Sequence, residues 1–448
     1  MEIHWALEIN GEIKKNKLTD LLSQFVGNAA ISGIILIAIV IIALIWANSN
    51  FGESYFMLWE KKIVIGFGDA VLSKPLLLWI NDGLMAMFFF VIGLEIKREV
   101  MAGELSSWKQ ASMPIFAAIG GMLLPAALYL LFNLGEASSN GWGIPMATDI
   151  AFSLGVLALL GKRVPLSLKI FLTAFAIVDD IGAVIVIALF YSSNIILSNL
   201  IIGGLFLGVM VMMNIAGVRN KLAYAIPGIL GIWLAFLLSG VHATIAGVLA
   251  ALVIPASTTI NKVSFKKTIS GLTDKIDDLK KNHSFLSKKE QGIVTEIKNT
   301  CEYYEPPVQS LEHTLHPWVV FLIMPIFALS NTGVLIGHDF FNVMTESSGL
   351  GIIVGLLIGK PLGIMLFSWL AYKSGIALLP EGTKWIHVLG IGFLGGIGFT
   401  MSLFVASLAF KDPELVTTAK VSILFASVLA GLLGFLILRK TLTRQESK

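Results

Sequence analysis

The 448-residue sequence is 56% hydrophobic and only 14% charged, with a mean hydropathy of +0.83 and a net charge of +3. A soluble globular chain carries about 25% charged residues, so this composition excludes a soluble particle and predicts that lipid surrounds most of the chain. The small net charge gives no reason to expect a nucleic-acid partner, and the single cysteine, Cys301, excludes an internal disulfide framework.

Twelve segments are long and apolar enough to cross a bilayer as helices, which takes about 20 mostly apolar residues each. They predict an all-α polytopic membrane protein, in which residues 1–256 hold spans 1–8 and residues 315–438 hold spans 9–12. Residues 257–314 form a polar loop between them, and residues 439–448 form a tail. The predicted spans are 28–48, 76–98, 111–133, 143–160, 165–191, 195–214, 221–238, 239–256, 315–335, 349–371, 385–410 and 414–438.

Lysine and arginine are concentrated in alternate loops. Pairs such as Lys162 with Arg163 and Arg439 with Lys440 lie on the same side of the predicted membrane as the 257–314 loop. Because basic loops stay in the cytoplasm, this bias predicts that both termini are cytoplasmic. No cleavable signal peptide is apparent, since the first apolar run is long enough to span the membrane.

Two loops have more pattern than the others. The loop near 52–75 contains KKIVIGFGDAVLSK, two short β-prone runs around a glycine-rich turn, which indicates an external β-hairpin; a plain loop is the alternative. A hairpin alone is marginally stable, so it could pair with a second copy of the chain. The 257–314 loop has nearly balanced charge and a predicted helix at 286–304, and it is either a regulatory or tethering insertion or a passive linker.

Ionisable residues inside predicted spans mark candidate functional positions, because they are costly in lipid. Asp179 and Asp180 lie at the centre of the fifth span, Lys360 at the centre of the tenth and Asp149 in the middle of the fourth. Adjacent helical residues point about 100° apart, so one aspartate can face a cavity while the other pairs elsewhere, with Lys360 as the available counter-charge. The alternative is a buried Asp–Lys pair that only holds helices together. Asp82, in the outer part of the second span, is better explained as a structural hydrogen-bonding residue.

A buried carboxylate can hold either a proton or a hard cation such as Na⁺. Both compete for the same oxygens, and two neighbouring carboxylates titrate as a coupled system. This competition is the basis of cation–proton exchange, and it requires no cofactor.

Glycine and proline interrupt the fourth and eleventh spans. The fourth contains Gly141, Gly143 and Pro145, and the eleventh contains GIGFLGGIGFTMS. Such interruptions at matching places in two triplets of opposite topology, spans 3–5 and 10–12, are typical of a transporter binding site. Broken helices leave positive N-terminal and negative C-terminal ends, which Asp149 and Lys360 could balance. Close helix packing is the alternative reason for the glycines.

The sequence resembles the NhaA-type Na⁺/H⁺ antiporter family of bacterial inner membranes. The similar segments cover nearly the whole chain except the first dozen residues and about 262–308. They are WINDGLMAMFFFVIGLEIKRE, GIPMATDIAFSLGVLALLG, FLTAFAIVDDIGAVIVIALFY, SGVHATIAGV, LEHTLHPWVVFLIMPIFALSNTGV, IGKPLGI and FLGGIGFTMSLFV.

The resemblance implies a role for each matching position. Asp180 would be the main Na⁺ ligand, and Asp179 would assist it, exchange protons and pair with Lys360, beside the unwound stretch at Thr148 and Asp149. It also implies exchange of one Na⁺ or Li⁺ for two protons and a homodimer formed through the external hairpin. A pH response would involve Glu95, Arg98, Glu99 and His242.

Each of the pH-response residues also has a plainer explanation. Charges at a helix end anchor at the membrane interface anyway, and His242 could be a hydrogen-bonded packing residue.

Three other functions fit the sequence less well. An intramembrane aspartyl protease would need facing aspartates, whereas Asp179 and Asp180 are adjacent on one helix, and its GFGD pattern lies here in the external hairpin. A sodium-coupled solute symporter would need further polar groups for an organic substrate. A passive channel would not need a titratable pair with a buried lysine.

Overall fold

The computed structural model describes residues 29–67, 70–192, 195–277, 286–337 and 340–442, and these are mostly helical. The chain divides into two compact units. The first consists of the described parts of Met1–Leu77, Lys109–Ala183 and Val320–Lys448, and the second of those of Leu78–Trp108 and Val184–Val319.

The helices and strands follow one another in a simple order along the chain. They are α1 (Ala29–Ala47), α2 (Gly52–Glu60), β1 (Lys62–Phe67), β2 (Ala70–Pro75), α3 (Leu76–Ala102), α4 (Trp108–Asn133), a 3₁₀ helix (Ala137–Met146), α5 (Ile150–Ala158), a 3₁₀ turn (Gly161–Arg163), α6 (Leu166–Phe190), α7 (Leu197–Ile215), α8 (Lys221–Leu237), α9 (Ala243–Val253), α10 (Lys262–Asp277), α11 (Lys288–Tyr304), α12 (Pro307–Asn331), α13 (Phe340–Thr345), α14 (Ser347–Lys373), α15 (Trp385–Gly395), α16 (Phe399–Ala409) and α17 (Pro413–Thr441).

Within the described residues, seven helices are long and apolar enough to cross a membrane, and the number rises to ten if each of three bent pairs counts as one span. Two shorter apolar helices, α8 and α9, accompany them. Many large apolar side chains on these helices are exposed, among them Leu131, Leu205 and Ile215. Water would not tolerate apolar surface on this scale, so the chain is a multi-pass membrane protein. The number of twelve spans stays a prediction.

Strands β1 and β2 confirm the predicted hairpin. They pair antiparallel with Lys62 opposite Pro75 and Phe67 opposite Ala70. The predicted turn residue Asp69 lies outside the described residues.

The polar insertion is more helical than expected. The predicted helix at 286–304 is present as α11, but α10 precedes it and the sequence pattern did not indicate it.

Close glycine contacts set the position of α14 against α4. A Cβ on Gly120 would lie 2.2 Å from the carbonyl oxygen of Gly363, and a Cβ on Gly363 would lie 2.1 Å from that of Gly120. Only glycine at both positions permits this approach, which is the way helices pack tightly in membranes. The contact holds the segment that carries Lys360 against α4.

Candidate ion-binding site

Two interrupted helices of the first unit meet at their breaks. The 3₁₀ helix and α5 are bent by 41° around residues 147–149, and α15 and α16 by 47° around residues 396–398. The backbone N–H of Asp149 donates to the carbonyl of Ile397 at 2.7 Å, which joins the two breaks directly. The predicted interruptions are therefore present. The first half of the fourth segment, however, begins at Ala137 rather than at residue 143 and is 3₁₀ rather than α-helical.

The Asp149 side chain caps the N-terminal ends of two helices, α5 and α16. Its Oδ1 accepts from the backbone N–H of Phe152 in the first turn of α5 at 3.0 Å. Its Oδ2 accepts from the backbone N–H of Thr400 at the start of α16 at 3.1 Å, and also from the Thr400 hydroxyl. The side chain is fully buried. A carboxylate is the appropriate group here, because the unpaired N–H groups of a helix start carry partial positive charge.

Hydroxyl groups satisfy the carbonyls at the end of α15. Thr148 Oγ1 donates to the carbonyl of Gly395 at 2.8 Å, and Ser153 Oγ donates to that of Leu394 at 2.7 Å. Each is a neutral donor to a buried carbonyl, so this C-terminal end needs no lysine.

Lys360 contacts the C-terminal end of the 3₁₀ helix and forms an ion pair with Asp179. Its Nζ donates to the carbonyl of Met146, the last residue of the 3₁₀ helix, and to Asp179 Oδ2 at 2.8 Å. Both charged side chains are completely buried. The ring of Phe175 lies below the ammonium, 5.9 Å from Nζ to its centroid. The predicted pairing is thus present, although Lys360 balances one of the two C-terminal ends and not both.

The second oxygen of Asp179 is buried and lies outside the ion pair with Lys360. Asp179 Oδ1 is buried and has no hydrogen bond within the part of the chain that the structure describes. Thr148 lies beside this carboxylate, and Asp180 is 98% buried and within electrostatic reach of Lys360. Among the described residues, no group of three or more His, Cys, Asp and Glu side chains converges as in a transition-metal site. What converges here is oxygen, which suits a hard cation.

The residues predicted for a pH response form a separate cluster in the second unit. Arg98 Nη1 contacts Glu99 Oε1 at 2.6 Å, and Arg98 Nε donates to both carboxylate oxygens of Glu312 at 2.9 and 3.0 Å. Glu95 lies within electrostatic reach of all three. Glu99 also accepts from the backbone N–H of Glu104 at 2.8 Å, which closes the end of α3.

His242 and Asp82 lie elsewhere in the second unit. His242 precedes α9 and donates through Nε2 to the carbonyl of Tyr191 at 2.9 Å, which fits a packing histidine. Asp82 lies in a π-helical turn of α3, and its backbone carbonyl accepts from Trp233 Nε1 at 3.0 Å. Asp82 and His242 are close enough to interact electrostatically.

Four polar contacts at these sites were not anticipated from the sequence. Ser153, Thr400 and Ser402 bridge the two broken helices, the last by donating from Oγ to the carbonyl of Ile144 at 2.7 Å, and Glu312 completes the Arg98 cluster. Serine and threonine are common in membrane helices, so the available signal was weak: Thr400 lies two residues after Gly398, whereas Ser153 and Ser402 each lie about one helical turn beyond a break.

Comparison with known proteins agrees with this architecture. The family model described as "Na+/H+ antiporter 1" matches residues 23–438. The chain is 49% identical over 433 residues to the "Na(+)/H(+) antiporter NhaA" of Oleidesulfovibrio alaskensis, covering 96% of each chain. It is 47% identical over 421 residues to the protein of the same name from Koribacter versatilis, covering 93% of this chain and 91% of the relative.

A third relative, the "Na(+)/H(+) antiporter NhaA 2" of Syntrophotalea carbinolica, is 44% identical over 424 residues, covering 94% of this chain and 97% of the relative. The family match at residues 23–438 includes the paired aspartates, the lysine and the two interrupted helices, and the relatives match over almost the whole length. The chain is a member of the Na⁺/H⁺ antiporter 1 family.

Proposed function

We propose that this protein is a secondary active transporter that exchanges Na⁺ or Li⁺ for protons across the bacterial inner membrane, with two protons moved for each cation. The observation that carries the proposal is the buried Lys360–Asp179 ion pair beside two joined helix breaks. A fully buried ion pair contributes little to stability compared with apolar packing, so its presence at the breaks points to a role in transport. Asp179 Oδ1 and the adjacent Asp180 supply oxygen for a cation.

The exchange cycle follows from charge balance at three side chains. In the proton-loaded state Lys360 is protonated and paired with Asp179, and Asp180 carries the second proton, so the site is neutral. A Na⁺ ion that binds to the two carboxylates displaces the Asp180 proton, and its charge favours release of the Lys360 proton. The site then carries one net negative charge, since it has lost two protons and gained one cation. The cycle is therefore electrogenic.

Access to the site would alternate between the two sides of the membrane through the broken helices. We place them in two inverted repeats, spans 3–5 and 10–12 of twelve, with both termini in the cytoplasm. The distribution of lysine and arginine between the loops supports this orientation.

Proton movement in everted membrane vesicles tests the exchange. Addition of Na⁺ or Li⁺ to vesicles acidified by respiration should release protons, whereas K⁺ and choline should not. Asp180→Asn should abolish the release, because the variant lacks the carboxylate charge, while Lys373→Gln, a change at an exposed lysine of α14, should leave it intact. Exchange at the wild-type rate in Asp180→Asn would overturn the site assignment. Na⁺-dependent uptake of an organic solute without proton release would favour a symporter.

The Arg98 cluster is the proposed pH-responsive element. Three carboxylates around one guanidinium respond to protonation as a unit, because each carboxylate alters the field at the others. His242, with its single backbone hydrogen bond, is assigned a smaller part. Na⁺-induced proton release across a pH series, compared between wild type and Glu99→Gln, tests this role.

The hairpin is the proposed dimer contact. Val64, Ile65 and Val71 are more than half exposed on a two-stranded sheet with open edges. Unpaired strand edges favour pairing with another strand, and a second copy of the hairpin would cover these residues. Cross-linking in membranes should capture a dimer of the wild type and fail with residues 62–75 removed.

A further inference from the structure

The polar insertion is a helical hairpin whose base is attached to membrane helices. α10 and α11 form its two legs. Arg219, four residues after the end of α7, donates from Nη1 to the carbonyl of Ser257 at 2.9 Å and from Nη2 to that of Glu305 at 3.1 Å. The backbone N–H of Val308 donates to the carbonyl of Pro255 at 3.2 Å. These contacts join both ends of the hairpin to the ends of apolar helices, so its base lies at the membrane surface.

The two halves of α10 differ in charge. The half of α10 nearest the membrane carries Lys262, Lys266 and Lys267, all exposed, and no acidic residue. The acidic residues of this helix, Asp274 and Asp277, lie in the far half. Basic residues close to a bilayer surface attract anionic lipid, since the attraction persists over a Debye length of about 8 Å.

A shallow recess of about 480 Å³ lies on this same half of the hairpin. Lys262 and Lys266 line one part of it and Ser270 supplies a hydroxyl group, whereas the Thr273 hydroxyl already donates within the helix. Phe265 and Tyr304 form an apolar wall, with their rings stacked at 4.2 Å between centroids. We name it the α10 recess.

We propose that the α10 recess binds the headgroup of an anionic phospholipid from the adjacent leaflet. The two ammonium groups can pair with the oxygens of a phosphodiester, the Ser270 hydroxyl can donate to one of them, and the aromatic wall accepts the glycerol and upper acyl carbons. The acidic residues near the base, Glu302 on α11 and Glu305 directly after it, do not line the recess. Lipid binding would hold the insertion on the membrane surface and make its position depend on the anionic lipid content.

The single cysteine permits a site-specific test in the full-length protein. Cys301 is exposed and lies three residues, or about one helical turn, before Tyr304. The purified protein, labelled at Cys301 with an environment-sensitive fluorophore in detergent, would be titrated with phosphatidylglycerol or phosphatidylcholine. We expect a saturable emission shift with phosphatidylglycerol and none with phosphatidylcholine. Lys262→Gln with Lys266→Gln should raise the half-saturating lipid concentration about 30-fold, roughly five-fold for each lysine.

A matched variant separates this site from general attraction. Lys288→Gln with Lys289→Gln removes the same charge from the far end of the hairpin and should leave the titration unchanged. Thermal unfolding of each labelled variant verifies its fold. Equal shifts with both lipids, or equal weakening in both double variants, would overturn the proposal. A saturable shift produced by inorganic phosphate or ATP without lipid would also overturn it, in favour of a soluble anion.

Discussion

Replacing Lys360 with methionine tests the buried ion pair most directly. Methionine nearly preserves the volume of the side chain but removes its charge, so Asp179 is left as an uncompensated carboxylate with both oxygens buried. Removing one partner of a buried ion pair costs about 3–5 kcal/mol, which corresponds to a loss of about 3–5 °C in melting temperature for a chain of this length. Thermal unfolding of the purified protein, followed by loss of its monodisperse elution peak, measures this loss.

Two further variants decide whether the charge is the cause. Lys360→Met combined with Asp179→Asn contains no buried charge from the pair and should regain most of the lost stability. Lys373→Met, a change at an exposed lysine of the same helix whose Nζ lies 4.8 Å above the ring of Trp369, should unfold close to the wild type. Acidification should also lessen the effect of Lys360→Met, since protonation of Asp179 removes the unpaired charge. A single variant as stable as the wild type, or a double variant as unstable as the single one, would refute the reasoning.

Three other changes probe the structure at separate places. Thr400→Val removes the hydroxyl that donates to Asp149 and should destabilise the purified protein by about 1.5–3 kcal/mol, whereas Thr400→Ser should restore stability; equal melting of the two variants would contradict this. Glu312→Gln should shift the pH profile of proton release in vesicles without abolishing it, and an unchanged profile would remove this residue from the pH response. Gly247→Ala places a methyl group 2.2 Å from a backbone oxygen of α3, and this overpacking should lower the free energy of unfolding by about 1–3 kcal/mol. Gly271→Ala, in open space on α10, should instead be neutral or slightly stabilising in the same thermal-unfolding assay.

The charged residues of the site were predictable because lipid makes their cost visible in the sequence. A lysine or aspartate in the middle of an apolar run of 20 residues requires a partner, and few candidates exist, so Lys360 could be matched to one of the two adjacent aspartates. The family resemblance then singled out Asp179. The glycines that interrupt the fourth and eleventh segments were predictable for a similar reason, since unwound backbone at that depth must lie inside protein.

The hydroxyl contacts and the second hairpin helix were not predictable in this way. Ser153 and Thr400 look like many other small polar residues of membrane helices, and their partners are backbone carbonyls and N–H groups brought close only by the crossing of the breaks. Helix α10 has low overall hydrophobicity and lies in a loop, where its alternation of lysine with Phe265 and Ile269 was too short to stand out. Tertiary packing decided both cases.

The neutral donors at the end of α15 also bear on how Lys360 can act. Because Thr148 and Ser153 satisfy that helix end, Lys360 is needed only at the carbonyl of Met146 and at Asp179. In the proposed cycle a cation draws Asp179 away from the ammonium, yet the Met146 carbonyl still accepts a hydrogen bond from Nζ, and it can do so whether the amine is charged or neutral. The lysine can therefore lose its proton without being left buried and unpartnered. If the end of α15 also relied on Lys360, loss of the lysine proton would be opposed. A neutral amine has fewer donors than an ammonium and no charge with which to balance two C-terminal helix ends.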